Sequence, residues 1–364
     1  MKRSTCIVFY VSAHGLGHWA QVAPVMARLM RKQPSLRLIL RSSLPPHEIR
    51  ARLPGPVEQT SATVDVGVIQ RDAISEDWQA TLAALKRFHS VWEQRVFREA
   101  QWLINMRAQL VVSNISPLGL AAAQRVGLPN LALGSLNWHE VYAPFLSPAE
   151  PLMEQIRLAY TQCDLLLKLP LSMPMSAFPH HHSTGLIGRK PSMPIRETLN
   201  MLGQTQQGKH LALVMFGGSK APPFELASLG AMQDWSFFMP SDRHEFAGKP
   251  GNVHIIDTRR LPIHELMALA DVVVCKPGYG TLAEAWLTQT PVCYVPRPHF
   301  PEYPFLRDWL KQHAPSHEMP LHAFRLGDWL EHLDKVRMSP KRYPHVEADG
   351  DREAAKVILE LASA

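Results

Sequence analysis

Residues 271–284 read Asp-Val-Val-Val-Cys-Lys-Pro-Gly-Tyr-Gly-Thr-Leu-Ala-Glu. The run 272–275 is short, β-branched and continuous, the pattern of a strand buried on both faces. Gly278 and Gly280 permit a sharp turn and let a ligand approach the backbone closely. Thr281 and Glu284 stand three apart, as in a capping box, which predicts a helix beginning at Thr281. The first N–H groups and the positive dipole end of such a helix suit a phosphate. Taken alone, the stretch is equally an ordinary strand-to-helix turn.

The same construction occurs twice more. Residues 6–11 form an apolar run, 12–18 a turn reading Ser-Ala-His-Gly-Leu-Gly-His, and 19–30 carry apolar residues at helical spacing. Gly15, Gly17 and Ala20 satisfy G-x-G-x-x-A, a dinucleotide fingerprint. That fingerprint calls for an acidic residue some 20 positions on, for the ribose. The following strand, 36–40, instead runs into Arg41-Ser42-Ser43. An NADP reading survives through Arg41, but it leaves His14 and His18 unexplained. Histidine changes charge near neutral pH and serves as a general base beside a reacting hydroxyl. The third turn, Gly217-Gly218-Ser219-Lys220, follows an apolar run at 211–216. In open α/β sheets ligands bind outside the carboxyl ends of the strands, where all three turns would lie.

The 364-residue chain, 46% hydrophobic and 19% charged, is long enough for two globular domains with substantial cores. No apolar stretch approaches the roughly 20 residues that span a bilayer. The run after Met1-Lys2-Arg3 has only a strand's length, so a cytoplasmic protein is expected. Cys6, Cys163, Cys275 and Cys293 are scattered, as buried packing residues would be. A formal charge of +6 suits phosphate-bearing ligands and is compatible with peripheral contact with the inner face of an anionic membrane. No basic run interleaved with aromatics points to nucleic acid.

Strand signals fall at 6–11, 36–40, 110–113, 130–134, 164–168, 211–216, 235–239, 253–256, 272–275 and 292–295. Helical periodicity falls at 19–32, 78–106, 117–126, 151–161, 223–230, 262–269, 281–289, 304–313 and 351–363. Such alternation predicts parallel sheets covered on both faces. Prolines, glycines and His180-His181-His182 crowd into the break at 170–194. The expected domains are 1–175, joined by a C-terminal helix at 351–364, and 176–350. Consecutive histidines point in different directions without a carboxylate, so a solvated loop is expected there, not a metal site.

Taken in order, these motifs resemble known families. His14-Gly15-Leu16-Gly17-His18, Val66-Gly67-Val68-Ile69-Gln70, Phe216-Gly217-Gly218, Lys276-Pro277-Gly278-Tyr279-Gly280-Thr281 and Glu302-Tyr303-Pro304-Phe305-Leu306-Arg307 resemble the glycosyltransferase-like N-terminal region of plant-type L-arabinokinases. More distantly, the glycine turns are similar to those of MurG-type N-acetylglucosaminyltransferases. The resemblance implies an α/β protein of the GT-B fold, two doubly wound Rossmann-like domains facing across a cleft. It does not carry over a kinase activity, since no separate kinase phosphate loop is present in the 364 residues. It implies a transferase of the hexosyl or N-acetylhexosaminyl class, moving a sugar from a nucleoside-diphosphate sugar, with UDP expected, to an unidentified acceptor.

On this resemblance His14 is the expected general base, unless it merely orients the turn. Gly15, Gly17, His18 and Gln70 fall on the acceptor side. Gly217, Gly218, Ser219, Lys276, Gly278, Tyr279, Gly280, Thr281, Glu284, Arg297 and Glu302 fall on the donor side. Glu284 either caps its helix or receives ribose hydroxyls, and Glu302 would meet donor sugar hydroxyls. Asp65 and Gln70 are expected in a loop of the N-terminal domain. Helix dipoles and cations suffice for the leaving diphosphate, so no metal and no cofactor are expected. A non-catalytic sugar-nucleotide sensor, a sugar-nucleotide epimerase and an NADP-dependent oxidoreductase are the competing functions.

Overall fold

The structure is a computed structural model that describes residues 5–203, 208–216, 222–240, 246 and 248–363. It divides into two compact units. The first comprises 1–69, 77–187 and 347–364, and the second 70–76 and 188–346.

The first unit is built on a seven-stranded sheet in the order β3-β2-β1-β4-β5-β6-β7. Its strands are β1 (Cys6–Val11), β2 (Arg37–Arg41), β3 (Glu58–Thr60), β4 (Leu110–Asn114), β5 (Asn130–Gly134), β6 (Leu165–Lys168) and β7 (His181–Ser183). Every described pairing is parallel. Such a sheet is covered on both faces, which is why β1, β4 and β5 are buried from end to end. The order reverses between β1 and β4, so the crevice at their carboxyl ends is the topological switch point. His180-His181-His182, expected in a solvated loop, instead enters β7. This is an exposed edge strand, with His181 in register with Leu166. The helix Gly350–Ser363 also belongs here; Asp351 pairs with Arg28 of the helix Gly17–Lys32 at 2.9 Å.

The second unit carries six parallel strands in the order β10-β9-β8-β11-β12-β13. They are β8 (His210–Met215), β9 (Trp235–Pro240), β10 (Val253–Ile256), β11 (Val272–Cys275), β12 (Val292–Tyr294) and β13 (Ser316–Glu318). Its switch point lies between β8 and β11. The core gathers Val214, Phe237, Val274, Phe324 and Trp329, and it takes in Ala73 and Ile74 from the segment 70–76.

Three helical stretches differ from their expected course: that expected at 223–230 is a short 3-10 helix, Leu226–Ala231. The periodic stretch 78–106 forms two helices, Trp78–His89 and Trp92–Met106, separated at Ser90 and Val91. The glycine-turn helix is Tyr279–Thr288, with extended Gly278 at its N-cap. It starts two residues before Thr281, so Thr281 and Glu284 form no capping box.

Candidate functional site

In the first unit β1 delivers the chain into the histidine turn at the switch point. Gly15 has φ +69°, a left-handed conformation that favours glycine, and among the described residues, chain neighbours aside, no heavy atom lies within 4 Å of a Cβ added at Gly15 or Gly17. Space is therefore open beside the turn. His14 is half-buried and accepts a hydrogen bond on Nδ1 from the Val68 N–H at 3.2 Å. An imidazole that accepts on Nδ1 carries its proton, while neutral, on Nε2.

His18 is assigned the opposite tautomer. The Asn114 amide donates through Nδ2 to the Leu133 carbonyl at 2.7 Å and to Gln21 Oε1 at 2.9 Å. A backbone carbonyl only accepts, so the amide orientation is fixed and Oδ1 faces His18 Nδ1 at 2.6 Å. His18 must donate there, which leaves the lone pair on Nε2. Burial holds its pKa down at about 4, so the ring stays neutral in ordinary buffers. Gln21 is anchored in turn on Ser135 at 2.9 Å. Beyond Asn114, Ile115 sits at φ +57°, a strained conformation for a β-branched residue at the end of β4.

Trp138 completes the group. Its ring centroid lies 5.8 Å from His14 and 5.6 Å from His18, and the two imidazoles are 6.3 Å apart. The indole N–H donates to the carboxylate of half-buried Asp65 at 2.9 Å. Trp138, Asn114, Gln21 and Ser12 were not singled out in the sequence. Asn114 carried a usable signal as a polar residue closing an apolar run.

In the second unit Lys276 follows β11, and the helix Tyr279–Thr288 starts just beyond it. The first N–H groups of a helix have no acceptor within it, and among the described residues, chain neighbours aside, no heavy atom lies within 4 Å of a Cβ added at Gly278. Lys276 is pulled down to about pKa 8, mainly by burial and next by the neighbouring Arg297, against the opposing fields of Glu76 and Asp72. Arg297 is buried, stacks on Phe300 at 4.1 Å, and donates from Nε to Glu76 Oε1 at 3.0 Å and also from Nη2. Glu302 is buried at the start of the helix Tyr303–His313. Its Oε1 has no hydrogen-bond partner among the described residues, and burial raises its pKa to about 7.

The structure thus brings Lys276, Arg297 and Glu302 into one electrostatic neighbourhood, beside Gly278, Tyr279, Gly280 and Thr281 at or next to the helix start. Glu284 is buried further along this helix and paired with Arg189 at 2.8 Å, a partner the sequence did not suggest. Gln70, expected on the acceptor side of the N-terminal domain, belongs to the second unit and bridges to Glu76. Gly217, Gly218 and Ser219 lie outside the described residues. Among the described residues, no group of three or more His, Cys, Asp or Glu could hold a metal ion, and no helix is long and apolar enough to cross a membrane.

The two parallel sheets define the class: the fold is GT-B, that of nucleotide-sugar glycosyltransferases. A calicheamicin glycosyltransferase matches with a TM-score of 0.61 at 16% identity, covering 100% of this chain and 94% of that one. A UDP-glucose:anthocyanidin 3-O-glucosyltransferase in complex with UDP matches with a TM-score of 0.61 at 12% identity, covering 100% and 95%. In sequence the chain is similar to L-arabinokinase of Arabidopsis thaliana, 25% identical over 360 residues that make up 97% of this chain and 34% of the relative. The chain therefore spans about a third of the length of the curated relative it matches. No family model matches.

Proposed function

We propose that the chain transfers a sugar from a nucleoside-diphosphate sugar, UDP-linked, to the hydroxyl of an acceptor. The observation that carries this reading is the start of the helix Tyr279–Thr288 beside Lys276, at the carboxyl end of β11 and next to the switch strand β8. Helix N–H groups, the helix dipole and an ammonium together suit a departing diphosphate. The relative with UDP bound, on the same fold, supports the choice of base.

In the reaction the bond from the anomeric carbon to phosphate oxygen breaks, and the diphosphate leaves with the electron pair. The acceptor oxygen bonds to the anomeric carbon, and its proton passes to an imidazole of the histidine turn. The motif favoured His14 for that step. The hydrogen bonds favour His18, whose Nε2 holds the lone pair, while His14 suits orientation of the hydroxyl by donation from Nε2. A weakly basic imidazole suffices, because the hydroxyl proton becomes acidic as the new bond forms.

Calorimetry with UDP, dTDP, GDP and NADP tests the reading. Binding of UDP in preference to NADP is expected; binding of NADP alone, or of no nucleoside diphosphate, overturns it. With a turned-over donor, His18→Gln is expected to lower kcat about 10²–10⁴-fold at little change in donor affinity, and His14→Gln to lower it less. The reverse ranking would restore His14 as the base.

A further inference from the structure

Asp65 is a half-buried residue whose carboxylate is held by neutral donors. Oδ1 accepts from Ser12 Oγ–H at 2.9 Å and Oδ2 from Trp138 Nε1–H at 2.9 Å. Burial raises its pKa to about 6, against the lowering effect of these two bonds. Among the described residues no cation compensates it, and withdrawing a carboxylate from water without one is unfavourable. The contacts show what the carboxylate holds in place. Ser12 Oγ also accepts the His14 N–H at 3.2 Å, so Asp65 is one bond removed from the backbone of the histidine turn. Three residues on, Val68 supplies the N–H that meets His14 Nδ1. Between them, Gly67 has φ +67°, and a Cβ there would stand 2.5 Å from His14 Cβ. Trp138 stacks on Tyr142, their ring centroids 5.6 Å apart, and the Tyr142 hydroxyl donates to the Gly67 carbonyl at 3.0 Å. Asp65, Trp138, Tyr142 and Gly67 therefore close a circuit around His14.

We propose that Asp65 is a positioning residue: by stapling the 65–68 segment to Ser12 and to Trp138, it holds His14 Nδ1 against the Val68 N–H and so divides the imidazoles into a donor, His14, and a proton acceptor, His18. The proposal rests on the histidine turn serving the transfer reaction, but its structural content is separable. The tautomers exist without substrate.

Long-range ¹H–¹⁵N spectra of the imidazoles in the whole chain read it directly. The two signals are identified from His14→Gln and His18→Gln, and the Trp138 indole N–H from Trp138→Phe. The wild type is expected to show His14 as the Nε2–H tautomer and His18 as the Nδ1–H tautomer. Asp65→Ala and the milder Ser12→Ala are each expected to move at least half of the His14 population away from Nε2–H and to leave His18 unchanged. Asp65→Asn offers an acceptor to Trp138 and an N–H to Ser12, so it is expected to retain both tautomers. The wild-type indole N–H resonance should shift as pH falls through about 6, and in Asp65→Asn it should not. Tyr142 and Tyr160, the other titratable groups coupled to Asp65, stay protonated there, and His14 and His18 lie against the indole. An unchanged His14 tautomer in Ser12→Ala overturns the proposal even if Asp65→Ala fails to fold. Loss of the tautomer in Asp65→Asn as complete as in Asp65→Ala overturns it as well. None of these readouts needs a nucleotide, so failure of glycosyl transfer would be seen separately.

Discussion

An ammonium on a half-buried stem beside a guanidinium is easily discharged, and Lys276 is in that position. With its pKa near 8, nucleoside-diphosphate affinity is expected to weaken as pH rises from 7 to 9, because the neutral amine no longer attracts phosphate. Titrations at the two pH values check this. Lys276→Arg keeps its charge and should remove the pH dependence. Gly67→Ala is a second test at this scale. Its left-handed backbone costs an alanine about 1–2 kcal/mol, and the new methyl group displaces His14. A lower denaturation midpoint with a changed His14 tautomer is expected, whereas Gly17→Ala, with open space around it, should leave that tautomer alone. The histidine turn was legible in sequence because glycines and histidines cluster within a few residues. The tautomers were not, since the groups that fix them, Val68 and Asn114, lie 54 and 96 positions away.

Among the elements, the segment 70–76 ties chemistry to packing. Ala73 and Ile74 lie in the core of the second unit, and Glu76 is the buried counter-ion of Arg297. Removing one partner of a buried pair leaves the other charge uncompensated, so Glu76→Gln is expected to destabilise by about 3–5 kcal/mol. Ile74→Ala should cost about 2–5 kcal/mol through the cavity it opens. Equilibrium unfolding of each variant measures both, and Glu76→Gln at wild-type stability would show that Arg297 finds other compensation. The segment was missed because a short, turn-rich stretch carries no periodicity. The central strands were found because a strand buried on both faces is a run of apolar residues. The strands β3, β7 and β13 span three residues each and are exposed or half-buried, so no apolar run marks them. The helix start at Tyr279 was displaced because a threonine and a glutamate at the right spacing imitate a capping box, and only backbone geometry distinguishes the two.

For the molecule as a whole, buried titratable groups set opposing pH dependences. His18 and His89 are held near pKa 4, mainly by burial, and titrate near 6.5 when unfolded. The unfolded chain takes up their protons first, so their contribution is lost as pH falls from 6.5 toward 4. Glu302 and Asp65 are raised by burial to about 7 and 6, so the folded chain takes up their protons first. The stability they withhold at pH 8 returns as pH falls toward their unfolded values. Glu302→Gln is therefore expected to be more stable than wild type at pH 8 by up to about 3 kcal/mol, with the advantage gone near pH 4.5. Paired melts at pH 8 and 5 check this, and an advantage that grows on acidification would contradict the assigned direction.

The division of the chain also has a consequence for biosynthesis. Residues 347–364 belong to the first unit, yet a ribosome makes them only after 188–346. At about 5–20 residues per second, the nascent first unit waits roughly ten to thirty seconds for the helix that covers Gly17–Lys32. During that interval its apolar face is open to chaperones, and a premature stop within the second unit would leave it open for good.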